Sequence, residues 1–512
     1  MKSQYHWMKW CVCVVTGLCL TTGTVNAQWI FSGDGSDEPG FVAPVKPENP
    51  PPPPANIASA ETFIPYPPPP VTPQSRSEKK NPPTPPVMFV KIKSQYGLID
   101  WASRPNDLGN LLKGMKKNID VNFALECKSL SEVSTNPEHN PILYRSGHFH
   151  FALTPAERQR LREYLLSGGM IIFNTGMGSK PFFDSARKEL AAIFPEVPLQ
   201  RLASDHPIFH SYYDIGQVKY RSGVRQAGYP SNEPLFYGLT IDCRTVAVIS
   251  RWCMAIGWDA VEDDSLQGYS MDSARKLGIN LLSYATSQRA WAKTATHAMK
   301  FVDTDSTQAG KVSLAQVIYN GEWKTRHVGL PVLLQQFNHR TDIPVKFELQ
   351  ELKLSDPKIF DAPMLYITGH ETFQLSAPEI RNLRDYLKKG GFLLAEACCG
   401  RRGFDAAFTR EMKKVLPEYP FTKIPADAQL FHLPNAINTV GVTPALSSQM
   451  GGKTTIPPKL LGIEIDGHYA VIYSPYGMCG GWEMAQNPYA FGYDDAGALS
   501  IGENILMYAI TH

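Results

Sequence analysis

The chain has 512 residues, 50 of them basic and 48 acidic, which is length enough for two or three domains of roughly 100–200 residues. A net charge of +2 leaves no basic excess to neutralise phosphates, so an electrostatic case for nucleic acid is excluded. No apolar run reaches about 18 residues, which excludes a multi-span membrane protein.

Lys2 and Lys9 precede a short apolar stretch, 11–20, that runs weakly on to Val25 and the small-residue site Val25-Asn26-Ala27. This order describes a secretory signal peptide over 1–27, cut before Gln28, with no transmembrane span left afterwards. Between 44 and 86, 17 of 43 residues are proline. Such a segment cannot supply ladder hydrogen bonds, so 28–87 is expected to be an extended polyproline spacer. The expected location is the periplasm or the exterior. Six of the nine cysteines lie beyond the leader: Cys127, Cys243, Cys253, Cys398, Cys399 and Cys479. Export permits disulfides. No cysteine spacing suggests zinc, and neither a metal nor a cofactor is expected.

The remainder reads as one domain written twice. Pro141-Ile-Leu-Tyr-Arg-Ser-Gly-His148 recurs 222 residues later as Pro363-Met-Leu-Tyr-Ile-Thr-Gly-His370, and Leu161-Arg-Glu-Tyr-Leu165 recurs as Leu383-Arg-Asp-Tyr-Leu387. Gly168-Gly169 maps to Gly390-Gly391 and Phe209-His210 to Phe431-His432. The offset then becomes 224: Gly238-Leu-Thr-Ile-Asp242 matches Gly462-Ile-Glu-Ile-Asp466, and Gly257-Trp-Asp259 matches Gly481-Trp-Glu483. Two tandem domains follow, 88–288 and 310–512, with a linker over 289–309.

Each copy reads as α/β. Residues 364–367 form an apolar strand ending in Thr-Gly-His. Ser376 to Glu379, like Thr154 to Glu157, is a capping box that opens a helix. Ile380, Leu383 and Leu387 share one helical face, and Gly390-Gly391 ends it. Residues 392–397 are the next strand; Phe408, Met412, Val415 and Leu416 mark the next helix; 469–474 and 501–510 read as a strand and a final helix. Strand–helix alternation implies mainly parallel sheets layered by helices.

In such sheets ligands bind beyond the carboxyl ends of the strands. That singles out Gly369, His370 and Glu371, then Glu396, Cys398, Cys399 and Gly400, and in the first copy Gly147 and His148. His432, Trp482 and Glu483 are further candidates, Trp482 as an aromatic platform for sugar or peptidoglycan.

Leu-Tyr-x-x-Gly-His, a helix ending Gly-Gly-Phe and a strand leading to Cys-Cys-Gly resemble the domain of unknown function 4159 family. So do Phe404-Asp405, Pro417-Glu418, Val471-Ile-Tyr-Ser474 and Gly481-Trp-Glu483. The resemblance implies a flavodoxin-like fold similar to class I glutamine amidotransferases and carries no established activity. It puts Cys398 and Cys399 where an amidotransferase nucleophile stands. Yet Glu396-Ala-Cys-Cys-Gly400 departs from that family's Gly-x-Cys-x-Gly, no late His-x-Glu exists, and the first copy has Gly176 and Met177 instead of the cysteines. The expectation is a cell-envelope binding or scaffold protein, its partner an unknown ligand or envelope protein. The alternative is a hydrolase using His370 with Glu371 or Glu396, or a cysteine nucleophile.

Overall fold

A computed structural model describes residues 86–94, 98–118, 122–136, 139–295, 311–326 and 328–512. The expected signal peptide, 1–27, and nearly all of the expected spacer, 28–87, lie outside the described residues.

The first domain carries β1 (Val87–Ile92), β2 (Phe123–Lys128), β3 (Ile142–Gly147), β4 (Met170–Thr175), β5 (Gln200–Arg201), β6 (Phe236–Ile241) and β7 (Arg244–Ser250). They form one sheet in the order β2-β1-β3-β4-β7-β6-β5. The first five are parallel, while β6 and β5 add antiparallel at the edge. The second domain has β8 (Ala315–Ile318), β9 (Gln350–Lys353), β10 (Met364–Gly369), β11 (Phe392–Ala397) and β12 (Thr422–Lys423), then a small hairpin of β13 (Val440–Gly441) with β14 (Thr455–Ile456), then β15 (Leu461–Ile465) and β16 (His468–Ser474). Its sheet runs β9-β8-β10-β11-β16-β15-β12, which is the first domain's order repeated strand for strand. The parallel part has the flavodoxin-like 2-1-3-4-5 order. The chain is thus a tandem duplication of a three-layer α/β domain.

Burial explains the layers. All six residues of β3, β4, β10 and β11 are buried, as expected for parallel strands covered on both faces. Successive side chains then feed opposite cores: Met364 and Tyr366 join one apolar cluster, Leu365 and Ile367 the other. Both capping boxes form, with the Glu157 amide donating to Thr154 Oγ1 at 3.2 Å and the Ser376 amide donating to Glu379 Oε2 at 2.7 Å. The two helices end at Gly168 (φ 109°) and Gly390 (φ 91°), left-handed positions that suit glycine.

Two boundaries differ from the sequence reading. Helix Met271–Ala295 runs through 289–295, so the linker expected over 289–309 begins later. The rest of that linker, 296–309, lies outside the described residues. The final helix starts at Asp495, not 501, because the Asp494 carboxylate caps it by accepting the Gly497 amide at 2.8 Å. Its Gly- and Ala-rich first turn carries no apolar stripe to announce it.

Candidate functional site

The strand ends of the second domain gather a cluster of polar side chains, and the first domain completes it. His370 directly follows β10 and is buried. Its Nδ1 lies 2.9 Å from Oε2 of Glu322, on the loop after β8. After β11 the chain makes a tight turn at Cys398–Gly400, where Cys399 takes φ 54°. Cys479 opens the short helix Cys479–Trp482 that follows β16.

A further member arrives from the other domain. The turn between β6 and β7 is Asp242-Cys243, both left-handed at φ 50° and 60°. It places Cys243 Sγ 3.1 Å from Cys398 Sγ. Cys398 Sγ is 3.3 Å from Cys479 Sγ and 3.9 Å from Cys399 Sγ. The side-chain donor atoms of Cys243, His370, Cys398 and Cys399 all lie within 4.8 Å of one another. The Cys243 carbonyl accepts Asn487 Nδ2 at 2.8 Å, and Arg326 Nε donates to its sulfur at 3.3 Å. Arg326 is itself held by the Glu483 carboxylate.

Charge is unevenly distributed in this cluster. Burial alone would push the Cys243 thiol up, but hydrogen bonds from Cys398, Cys399 and Cys479, together with the Arg326 charge, hold it well below the usual thiol range. Burial and the neighbouring Cys243 sulfur push Cys398 up, and the Cys243 sulfur does the same to Cys399. For His370, burial favours the neutral ring, but Cys243, Cys399 and Glu322 outweigh it and raise its basicity well above the ordinary value. The cluster therefore sets one thiol of lowered pKa, from the first domain, against thiols of raised pKa from the second and a histidine braced by a carboxylate.

The adjoining cavity is lined by His206, Thr240, Cys243, Glu322, His370 and Cys399 among others and has about 20 Å³ of room. One water needs roughly 10–15 Å³ on this measure, whereas ligand pockets run to several hundred. The space fits an ion or a water or two, not an organic substrate.

Of the residues expected at the site, His370, Cys398 and Cys399 come together. Glu371 lies at the domain junction: Arg401 Nη2 donates to it at 2.8 Å and also faces Asp205 of the first domain at 3.4 Å. Glu396, expected as an acid-base partner of His370, is instead a fully buried anchor. Its carboxylate accepts Tyr366 Oη at 2.6 Å and the Cys479 amide at 3.1 Å, and also the Met478 amide. Asn174 does the same work in the first copy, accepting the Met254 amide at 2.8 Å, so the role belongs to the fold. Trp482 cannot serve as an aromatic platform, because it is fully buried with Nε1 donating to the Ala498 carbonyl at 2.9 Å. Glu483 is committed to Arg326, and Gly369 is packed against Tyr319 and Phe404. Gly400 takes φ 65° beside Phe491 and shapes the turn. His432 is exposed, closing the 3₁₀ turn Gln429–Phe431. Gly147 is buried against Phe182 and Asp100, and the His148 amide donates to Asp100 Oδ1 at 2.6 Å. No disulfide joins any of the six described cysteines.

Four members escaped the sequence reading: Cys243, Glu322, Arg326 and Cys479. The repeat contains the signal for two of them. Extended toward the N-terminus at the same offset of 222, Asp100-Trp101 and Arg104 align with Glu322-Trp323 and Arg326. At the offset of 224, Cys243 aligns with Gly467, a cysteine where the sibling hairpin has glycine.

Fold and site together define a tandem pair of three-layer α/β domains that share one thiol-rich junction. The family model for Domain of unknown function (DUF4159) matches residues 89–286 and 313–510, so the chain belongs to that family. No curated protein matches it. Among the described residues no helix is long and apolar enough to cross a membrane.

Proposed function

We propose that the protein is an exported cell-envelope binding protein, held on its proline-rich spacer, whose two amidotransferase-like domains build a binding site at their junction and perform no thiol hydrolysis. One observation carries this reading. The first domain's hairpin inserts Cys243 into the second domain's strand tips, filling the crevice where a substrate would sit and leaving about 20 Å³.

A hydrolase is the competing reading, and the line Cys399, His370, Glu322 gives it a specific basis. A nucleophile needs its thiolate, whereas the neighbouring Cys243 sulfur pushes the Cys399 thiol well above its ordinary range. The left-handed turn is no mark of catalysis here, because Met177 takes φ 48° at the same place in the first copy.

The test is thiol reactivity joined to turnover. In the reduced native chain, exposed Cys127 should label rapidly with iodoacetamide and Cys399 slowly, and a panel of carboxamides and esters should not be hydrolysed. Fast labelling of Cys399, with hydrolysis abolished by Cys399→Ala, would overturn the reading. Recovery of the mature chain without Gln28 at its N-terminus would overturn the export site.

A further inference from the structure

We propose that Cys243, Cys398, Cys399 and His370 hold one thiophilic closed-shell cation, zinc(II) or copper(I), clasped between the two domains. The inference deepens the binding reading above by naming the chemical class of the ligand.

Four soft or borderline donors converge in a buried place. A tetrahedral ion holds sulfurs about 2.3 Å away, and hence about 3.8 Å from each other. The Cys398–Cys399 separation of 3.9 Å matches that spacing, and Cys243–Cys398 at 3.1 Å needs to open by less than an ångström. All four donor atoms already lie within 4.8 Å of one another. Three thiolates and an imidazole are a familiar structural zinc set, and thiolates also select copper(I).

The surroundings are those that orient metal ligands. His370 presents Nδ1 to Glu322 at 2.9 Å, which fixes the proton on that nitrogen and leaves Nε2 for an ion. Carboxylate–histidine pairs of this kind set the tautomer and raise ligand basicity. Arg326 Nε donates to the Cys243 sulfur at 3.3 Å, offsetting part of the thiolate charge. Cys479, 3.3 Å behind Cys398, is placed to donate its S–H to a ligand sulfur.

The backbone supplies an independent observation. Cys243 sits at φ 60°, a region costly for any residue but glycine, while Gly467 takes φ 83° at the equivalent turn. A cysteine kept in a strained position, aimed into three other thiols, points to a use for its sulfur. The first copy has Gly176 and Met177 where the second has Cys398 and Cys399, so the equivalent place in the first copy lacks these ligands.

The reduced full chain should be titrated with zinc(II) and, in an anaerobic arm, with copper(I), and bound metal counted by elemental analysis. Cobalt(II) reports the ligands through thiolate charge-transfer and tetrahedral d–d bands. One ion per chain is expected in at least one arm, and the arm that binds identifies the ion. Cys243→Ser and Cys399→Ser, on separate elements, should each weaken binding at least about 100-fold, by loss of one of four ligands. Glu322→Gln should weaken it about 10- to 100-fold and shift the cobalt spectrum. Cys127→Ser and Cys253→Ser should change nothing. Absence of stoichiometric metal in both arms, binding indifferent to Cys243→Ser, or a Cys243–Cys398 disulfide in freshly isolated chain would overturn the site. If metal fails and hydrolysis is also absent, only this inference falls. Hydrolysis dependent on Cys399 would bring down the binding reading itself.

Discussion

Cys243 Sγ lies 3.1 Å from Cys398 Sγ, although 155 residues and a domain boundary separate the two. The contact depends on a left-handed cysteine whose sibling is Gly467. Two effects oppose each other at this position. The left-handed conformation costs a non-glycine residue on the order of 1–3 kcal/mol, and burying a thiol-sized group returns about 1–2 kcal/mol. Cys243→Gly should therefore change the metal-free unfolding free energy by less than about 1 kcal/mol in urea. Cys243→Ala keeps the backbone cost and loses the sulfur, so it should be the less stable of the two. If Cys243→Gly lost more than about 3 kcal/mol, the thiol cluster itself would be a main support of the junction.

Much of the architecture was legible because local rules and the global fold agree. Capping boxes, Gly-Gly helix ends and all-apolar strands announced the layers, and the repeat announced two of them. The cluster was legible only in part, at three residues of the second domain. His370, Cys398 and Cys399 stand at strand ends, where position alone marks them. Cys243 does not, because its role depends on how the domains dock, which no local spacing encodes. For the same reason the cysteine intervals suggested no zinc. Glu396 misled in the other direction: an acidic residue at a strand end reads as chemistry, and only its amide partners reveal an anchor.

That anchoring role makes a prediction at Glu396. Removing the carboxylate leaves the Met478 and Cys479 amides and the Tyr366 hydroxyl without their buried acceptor. Breaking such a network costs about 3–5 kcal/mol. Glu396→Ala should unfold at markedly lower urea. Glu396→Gln should cost only about 1–2 kcal/mol, because an amide oxygen can still take the backbone N–H groups, as Asn174 does in the first copy. Equal losses in the two variants would show that the charge itself is required.

At the domain junction, Arg401 bridges Glu371 and Asp205, and the Arg402 amide donates to Asp205 Oδ2 at 3.2 Å. The two carboxylates differ in burial, Asp205 being 26% exposed and Glu371 13%. Asp205→Ala should cost about 1 kcal/mol, since water can reach the vacated place. Arg401→Ala leaves Glu371 without its partner in a site where burial, before any other influence, already raises its pKa. That variant should lose about 3 kcal/mol or more. Thermal unfolding of both would check the order, and a larger loss for Asp205→Ala would reverse it.

His206 predicts a pH dependence with a definite sign. Its Nδ1 accepts the Ile208 amide at 3.2 Å, so the proton sits on Nε2, which faces Thr245 Oγ1 at 2.9 Å. Burial pushes its pKa well below the ordinary histidine value, and the charges of Arg401, His370 and His210 push the same way. The folded chain thus keeps the ring neutral in acid, while the unfolded chain protonates it near pH 6.5. Above that pH both states are neutral and the full stability is present. Below it the unfolded state binds more protons, so stability falls with falling pH at up to about 1.4 kcal/mol per unit. His206→Gln removes the titration. The difference between wild-type and His206→Gln unfolding free energies should be flat from pH 8 to about 7, then shrink against the wild type toward pH 5. Reading the difference cancels the other histidines, including His370, whose raised basicity acts with the opposite sign. Parallel curves for the two proteins across that range would mean that His206 is not held neutral in the folded chain.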